Sequence, residues 1–251
     1  MIPTIEDVKA AAKRIEGIAV KTPLIRNDVL DEITGAKVWV KAENLQRGGA
    51  FKMRGATNAI SALAPEVRAK GVIAFSSGNH AIAVATASKI FGIKATIVMP
   101  ADAPKIKLDT TRSLGATVVT YDRVGESREE IGARLAAEGG LSLIKPFDDP
   151  FVLAGQGTAG LEVAELISPD IVFVPASGGG LAAGHRVVPP VAGADGPHAS
   201  AVPRDACLVG GRAADRASTG RAALAGAGNV VAPAQKTRGG GLCDPRKRPA
   251  R

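Results

Sequence analysis

Along the first 184 residues the apolar positions switch repeatedly between helical spacing and strand-like alternation. Over residues 5–16, Ile5, Val8, Ala12 and Ile15 keep a helical spacing among charges, with Thr4 placed to cap the first turn. Residues 36–41 alternate like a half-buried strand, and Gly48-Gly49 then breaks the chain. Residues 54–63 read as a helix. Residues 72–75 are a short apolar strand running into Ser76-Ser77-Gly78-Asn79, and residues 81–91 read as a helix stopped by Gly92. The cycle continues with a strand at 95–99, a helix at 104–114 closed by Gly115 and a strand at 117–121. A charged amphipathic helix at 127–138, a helix at 155–166 and a buried strand at 170–175 complete it. Strands alternating with helices of about ten to fifteen residues predict βαβ units, hence an α/β fold on largely parallel sheets. In open sheets of that kind ligands sit beyond the carboxyl ends of the strands, where loops lead into helix N-termini.

Composition adds little to the picture of this body. The 251 residues suit one large domain or two modest ones, and 45% apolar with 22% charged residues is ordinary for a soluble globular enzyme. No apolar run approaches the ~18 residues of a membrane span. The start, Met1-Ile2-Pro3-Thr4-Ile5-Glu6-Asp7, lacks the basic and apolar segments of a signal peptide, so a cytoplasmic protein with no membrane partner is expected. Cys207 and Cys243 have no metal-site or disulfide-framework spacing, and His80 is the sole histidine before residue 185, so no metal is expected.

Charge changes the picture. Residues 1–184 hold 21 Lys+Arg against 20 Asp+Glu, whereas residues 185–251 hold 11 against 4. The excess that makes the whole chain +8 therefore sits in its last 67 residues. That segment contains 15 Ala, 10 Gly, 9 Arg and 7 Pro, and all eight aromatic residues precede it. It has little to bury against chain entropy, so disorder is the expectation. Ala, Gly, Pro and Arg are also the residues that GC-rich codons encode, and an out-of-frame tail from about residue 185 is the reading this favours. The competing reading is a basic arm for nucleic acid or an acidic surface; without aromatic residues to stack on bases it ranks lower, and no nucleic-acid partner is expected.

Three segments carry chemistry. In Gly48-Gly49-Ala50-Phe51-Lys52-Met53-Arg54-Gly55, a lysine stands between a glycine loop and a helix start with a cation nearby. Partial burial and that cation disfavour the ammonium, as an amine nucleophile requires; the bland alternative is a surface lysine. Ser76-Ser77-Gly78-Asn79-His80 follows a strand and opens a helix, offering N–H groups, two hydroxyls and an amide to a carboxylate; alternatively it is only a capping turn, with His80 structural. Ser177-Gly178-Gly179-Gly180-Leu181 follows an apolar strand and can wrap a phosphate, or be a flexible linker. It matches neither the dinucleotide nor the triphosphate glycine pattern.

A Schiff-base lysine, a carboxylate loop and a phosphate cradle together describe a pyridoxal-phosphate site for an amino acid. The chain resembles the fold-type II pyridoxal-phosphate enzymes, specifically the serine/threonine dehydratase and serine racemase family. The matching segments, in order, include Lys21-Thr22-Pro23-Leu24, Lys41-Ala42-Glu43-Asn44-Leu45-Gln46, Phe51-Lys52-Met53-Arg54-Gly55-Ala56, Ser76-Ser77-Gly78-Asn79-His80-Ala81, Ala154-Gly155-Gln156-Gly157-Thr158 and Ser177-Gly178-Gly179-Gly180-Leu181.

The resemblance implies two open parallel-sheet α/β domains of the tryptophan synthase β-like kind. A large, incomplete cofactor-binding domain would take 1–49 and 146–184, a small substrate-loop domain 50–145, and the basic tail 185–251. Lys52 would form the Schiff base and shuttle the α-proton, with Ser77 on the opposite face as in the family's racemases. Ser76, Ser77, Gly78, Asn79 and His80 would bind the substrate carboxylate, with Asn79 also meeting the cofactor's 3-hydroxyl. Phe51, Ser177, Gly178, Gly179, Gly180 and Leu181 would complete the cofactor site. The implied activity is an ammonia-lyase (dehydratase) converting L-threonine or L-serine to 2-oxobutanoate or pyruvate. Serine racemase and hydroxyaspartate dehydratase are the alternatives within the family, and a homodimer is the expected assembly. Ile82 and Lys145 depart from common family residues. Because the match stops at Gly184, short of further large-domain strands, weak or absent activity is expected. A non-catalytic remnant or basic-tailed binding protein is the reading from another class.

Overall fold

The computed structural model describes residues 2–175, 178–188 and 229–232. The first helix, α1 (Ile5–Ile15), starts where Thr4 and Asp7 cap each other. The Asp7 carboxylate accepts the Thr4 N–H at 2.7 Å, and the Thr4 hydroxyl accepts the Asp7 N–H at 3.2 Å. Such a capping box satisfies two otherwise free donors, and the helix then buries Val8, Ala11 and Ile15. The chain continues through β1 (Leu24–Arg26), α2 (Asp28–Thr34) and β2 (Trp39–Lys41). Two single turns of 3₁₀ helix, Glu43–Leu45 and Arg47–Gly49, lead into α3 (Lys52–Ala62) and α4 (Pro65–Lys70).

From there strand and helix alternate as the periodicity predicts: β3 (Val72–Phe75), α5 (Asn79–Phe91), β4 (Ala95–Pro100), α6 (Lys105–Ser113), β5 (Thr117–Tyr121), α7 (Arg128–Gly139) and β6 (Ser142–Leu143). These strands make a four-stranded sheet in the order β5-β4-β3-β6, parallel at every pairing. Its largest core cluster includes Met53, Ile60, Val84, Ile97 and Met99, so α3 and α5 pack together on it. Helix α8 (Pro150–Ala164), strand β7 (Ile171–Phe173) and helix α9 (Gly180–Arg186) follow.

The second sheet has the order β1-β2-β8-β7, with β8 spanning Asn229–Ala232. All its described pairings are antiparallel, where the sequence predicts parallel ones. Two causes are visible. Helix α2 is too short to carry the chain back across a sheet for a parallel return. Strand β8 comes from distant sequence and lies reversed between β2 and β7, which themselves run the same way.

The expected boundary at residue 185 falls inside α9, and Val187 and Val188 pack with Val8, Ala11 and Ala154 of α1 and α8. The rest of the predicted tail, apart from β8, lies outside the described residues. Helix α8 begins five residues before the predicted 155, because Asp149 caps it by accepting the Val152 N–H at 2.9 Å and Pro150 sits in its first turn. Among the described residues no helix is long and apolar enough to cross a membrane.

Candidate active site

Gly48 and Gly49 both adopt φ 73°, a left-handed conformation that costs glycine little, and this kink delivers Ala50 and Phe51 to the start of α3. Lys52 is therefore the first residue of a helix. Its Nζ donates to the Pro146 carbonyl at 2.6 Å and lies 5.2 Å from the Phe51 ring centroid. Burial disfavours the ammonium and lowers its pKa from 10.5 to about 8.

The glycine turn lies close by through shared neighbours. Phe51 packs in one cluster with Val172, Val174, Leu181 and Ala182, that is, with the residues on both sides of the turn. Phe147, next to the Pro146 that holds the lysine, covers Gly178 so closely that a Cβ there would collide with its ring. Gly179 has φ 74° with open space where a Cβ would stand, and a Cβ on Gly180 would stand 2.7 Å from Gln156 Oε1. Ser177 lies outside the described residues.

The serine loop follows the carboxyl end of β3. The Ser76 N–H donates to the Val98 carbonyl at 3.1 Å, and the Ser76 hydroxyl accepts the Gly78 N–H at 3.2 Å. Ser76, Ser77 and Gly78 are half-buried, whereas Asn79 is exposed at the start of α5. His80 is placed differently from its neighbours: it is 3% exposed, with Nε2 2.9 Å from the Ile144 carbonyl. Burial, with a smaller contribution from the Lys52 cation, lowers its pKa to about 4 against the opposing Ile144 hydrogen bond. The ring is therefore neutral, Nε2 carries the proton, and buried Nδ1 has no partner among the described residues. Alternate carbonyls of one segment, Ile144 and Pro146, thus hold the imidazole and the amine.

Two arrangements escape sequence reasoning. One is a glycine seam on α8. A Cβ on Gly155 would stand 2.6 Å from the Arg54 carbonyl, and one on Gly157 would stand 2.8 Å from the Gly184 carbonyl. Reciprocally, a Cβ on Gly55 would stand 2.8 Å from the Val152 carbonyl and one on Gly184 2.6 Å from the Gly157 nitrogen. Helix α8 therefore touches backbone on α3, which carries Lys52, and on α9, which follows the glycine turn. The spacing Gly155-Gln156-Gly157 is the only signal the sequence carries for it.

The other is a buried charge cluster. Arg54, fully buried, forks onto Glu43 at 2.8 and 2.9 Å and onto Glu162 at 2.6 and 2.9 Å, and also donates to Thr158 Oγ1 at 3.1 Å. Lys41 donates to Glu162 and to the Thr22 carbonyl, and the Thr22 hydroxyl donates to Glu43. Burial works against the Arg54 charge, but the two carboxylates outweigh it and hold the guanidinium above its ordinary pKa. For Lys41 burial prevails over Glu162 and the pKa falls.

The fold that carries this desolvated amine, glycine turn and serine loop is that of the fold-type II enzymes. The chain belongs to the family described as pyridoxal-phosphate dependent enzyme, whose profile matches residues 15–186. It is 50% identical over 185 residues to the L-threo-3-hydroxyaspartate ammonia-lyase of Saccharomyces cerevisiae, covering 73% of this chain and 57% of that one. It is 46% identical to the serine racemase of Schizosaccharomyces pombe over the same shares. With the L-threonine ammonia-lyase of Thermotoga maritima it shares 46% identity, over 73% of this chain and 46% of that one. The structure of maize serine racemase superposes with a TM-score of 0.73 at 40% identity, covering 74% of this chain and 57% of that chain. The chain spans about half the length of the curated relatives it matches.

The residues present fit pyridoxal phosphate, the cofactor of this family. Lys52 offers an amine that burial keeps near its neutral form. Gly179 leaves space where a side chain would stand, and the buried Gln156 amide beneath Gly180 has no partner among the described residues.

Proposed function

We propose that these residues form the site of an ammonia-lyase that converts β-hydroxy amino acids, L-threonine and L-serine among them, to 2-oxo acids and ammonia. The observation that carries this reading is the Lys52 amine, desolvated and held on Pro146 next to the ring that packs on Gly178. The bound cofactor would supply an electron sink for the carbanion at the substrate Cα. Lys52, with a pKa near 8, is neutral often enough at ordinary pH to take the α-proton and return it. Ser76, Ser77, Gly78 and Asn79 present hydroxyl, amide and backbone donors to the substrate carboxylate at the start of α5. His80 contributes its backbone there, while its neutral ring fixes the loop on Ile144. Ser177, Gly178, Gly179 and Gly180 hold the cofactor's phosphate, and Phe51 and Leu181 exclude water behind it.

The test uses the whole chain. Borohydride reduction after adding the cofactor should fix one cofactor mass on the Lys52 peptide, and Lys52→Ala should abolish it. Labelling elsewhere, or an unchanged yield in the variant, defeats the assignment. Formation of 2-oxobutanoate from threonine then reads the elimination. A second reading, racemisation of serine, rests on half-buried Ser77, which matches the position of the second proton carrier in the family's racemases. Production of D-serine that depends on Ser77 would distinguish it.

A further inference from the structure

His80 follows the serine loop directly, yet its ring is buried and offers nothing to a ligand. It has a single polar tether, the Nε2–H donated to the Ile144 carbonyl at 2.9 Å, while Nδ1 meets no partner among the described residues. Ile144 is itself buried and pinned, its N–H donating to the Ile73 carbonyl of β3 at 2.8 Å. Two residues on, the Pro146 carbonyl accepts the Lys52 Nζ at 2.6 Å. Between them Lys145 precedes a proline, which favours extended backbone there, and the Pro146 ring fixes its own φ. The three-residue strap is therefore stiff, and a shift at one carbonyl is carried to the other. The Lys52 charge is close enough to act on the imidazole, and no acidic group enters the balance of either.

We infer that His80 is a positioning residue for Lys52: by holding the Ile144 carbonyl it sets the Pro146 carbonyl on which the amine rests, and so ties the start of α5 to the start of α3. This rests on the reading of Lys52 as the amine that takes the cofactor, and adds the group that keeps that amine in place and dry. Without the Nε2 donor the buried Ile144 carbonyl must find water. Water admitted there also hydrates the Lys52 ammonium, and part of the desolvation that holds its pKa at about 8 is lost.

Labelling of the full chain with trinitrobenzenesulfonate before any cofactor is added, read on the Lys52 peptide by mass spectrometry over a pH series, tests this without turnover, because only the neutral amine reacts. Wild type should show a midpoint at about 8. His80→Asn, whose amide ends where Nδ1 stands, should move that midpoint up by about one pH unit, so that labelling below it slows about tenfold. His80→Gln, whose amide reaches the place of Nε2, should keep the wild-type midpoint. A role in packing alone would not tell the two amides apart. Pro146→Ala, which slackens the strap from its other end with His80 intact, should give a smaller rise in the same direction. A wild-type midpoint in His80→Asn, or equal shifts in His80→Asn and His80→Gln, overturns the inference. Should His80→Asn not fold, Pro146→Ala decides alone, and a wild-type midpoint there overturns it. Midpoints that behave as stated in a chain that takes up no cofactor on Lys52 defeat instead the reading of function.

Discussion

At the scale of single residues, burial decides protonation in this site. Lys52 titrates near 8 in the fold and near 10.5 when exposed, so between those values the unfolded chain binds more protons than the folded one. Stability attributable to this group therefore rises with pH across that window and is lowest where the buried amine is charged. Urea unfolding at pH 7.5 and 9.5 should show a rise in wild type that Lys52→Met lacks (the pH values are about half a unit below and ~1.5 above the lysine's own). A parallel response in both proteins would refute the desolvation. His80 has the same sign in a lower window. Its pKa falls from 6.5 to about 4, so its contribution is intact above 6.5 and is lost as pH drops toward 4. Imidazole nitrogen shifts should report one neutral tautomer, protonated on Nε2, throughout the range from about pH 5 to 8 where an ordinary histidine titrates. A midpoint near 6.5 would show a solvated ring.

At the scale of elements, most helices and strands of the parallel sheet are legible because each carries its own period and stop signal. Gly92 and Gly115 end their helices where expected, and Thr4 caps α1. Helix α8 is misread at its start because Phe151-Val152-Leu153 is an unbroken apolar run leading into residues 152–160, all buried, and such a stretch has no polar face to give it a period. Its Asp149-Pro150 cap was the better signal. The seam of Gly155 and Gly157 is invisible for a different reason: its partners, Arg54 and Gly184, are remote in sequence. Gly155→Ala and Gly157→Ala should each cost about 1–3 kcal/mol, since backbone cannot yield as a side chain can. Gly125→Ala, with nothing nearer than Asp122 Oδ2 at 3.6 Å, is the control and should be nearly neutral. Denaturant midpoints check all three. If the seam also sets the distance between Lys52 and the glycine turn, borohydride trapping of the cofactor should fall in the two seam variants and persist in the control.

At the scale of the whole molecule, the buried charge cluster joins what the two sheets would otherwise leave apart. Lys41 ends β2, Glu43 follows it, Arg54 rises from α3, and Glu162 and Thr158 come from α8. The sequence displays Lys41, Glu43 and Arg54 as motif residues without a task, because the completing Glu162 lies 108 residues beyond Arg54. Composition misleads in the opposite direction at β8. Averaged over the tail it predicts no structure, yet Asn229-Val230-Val231-Ala232 is a short β-branched run that finds a place between β2 and β7. The cluster is a matched set of two cations and two anions, so its parts are not independent. Removing one partner leaves a buried charge uncompensated, and Glu43→Gln should cost about 3–5 kcal/mol. Replacing both members of that pair by apolar residues of similar volume, Arg54→Met with Glu43→Leu, leaves Glu162 still paired with Lys41. The double variant should therefore be less destabilised than the sum of its single variants, with a coupling of about 0.5–3 kcal/mol. Strict additivity in urea midpoints would mean that each residue acts through its own packing, and that the two halves of the site are joined by the glycine seam alone.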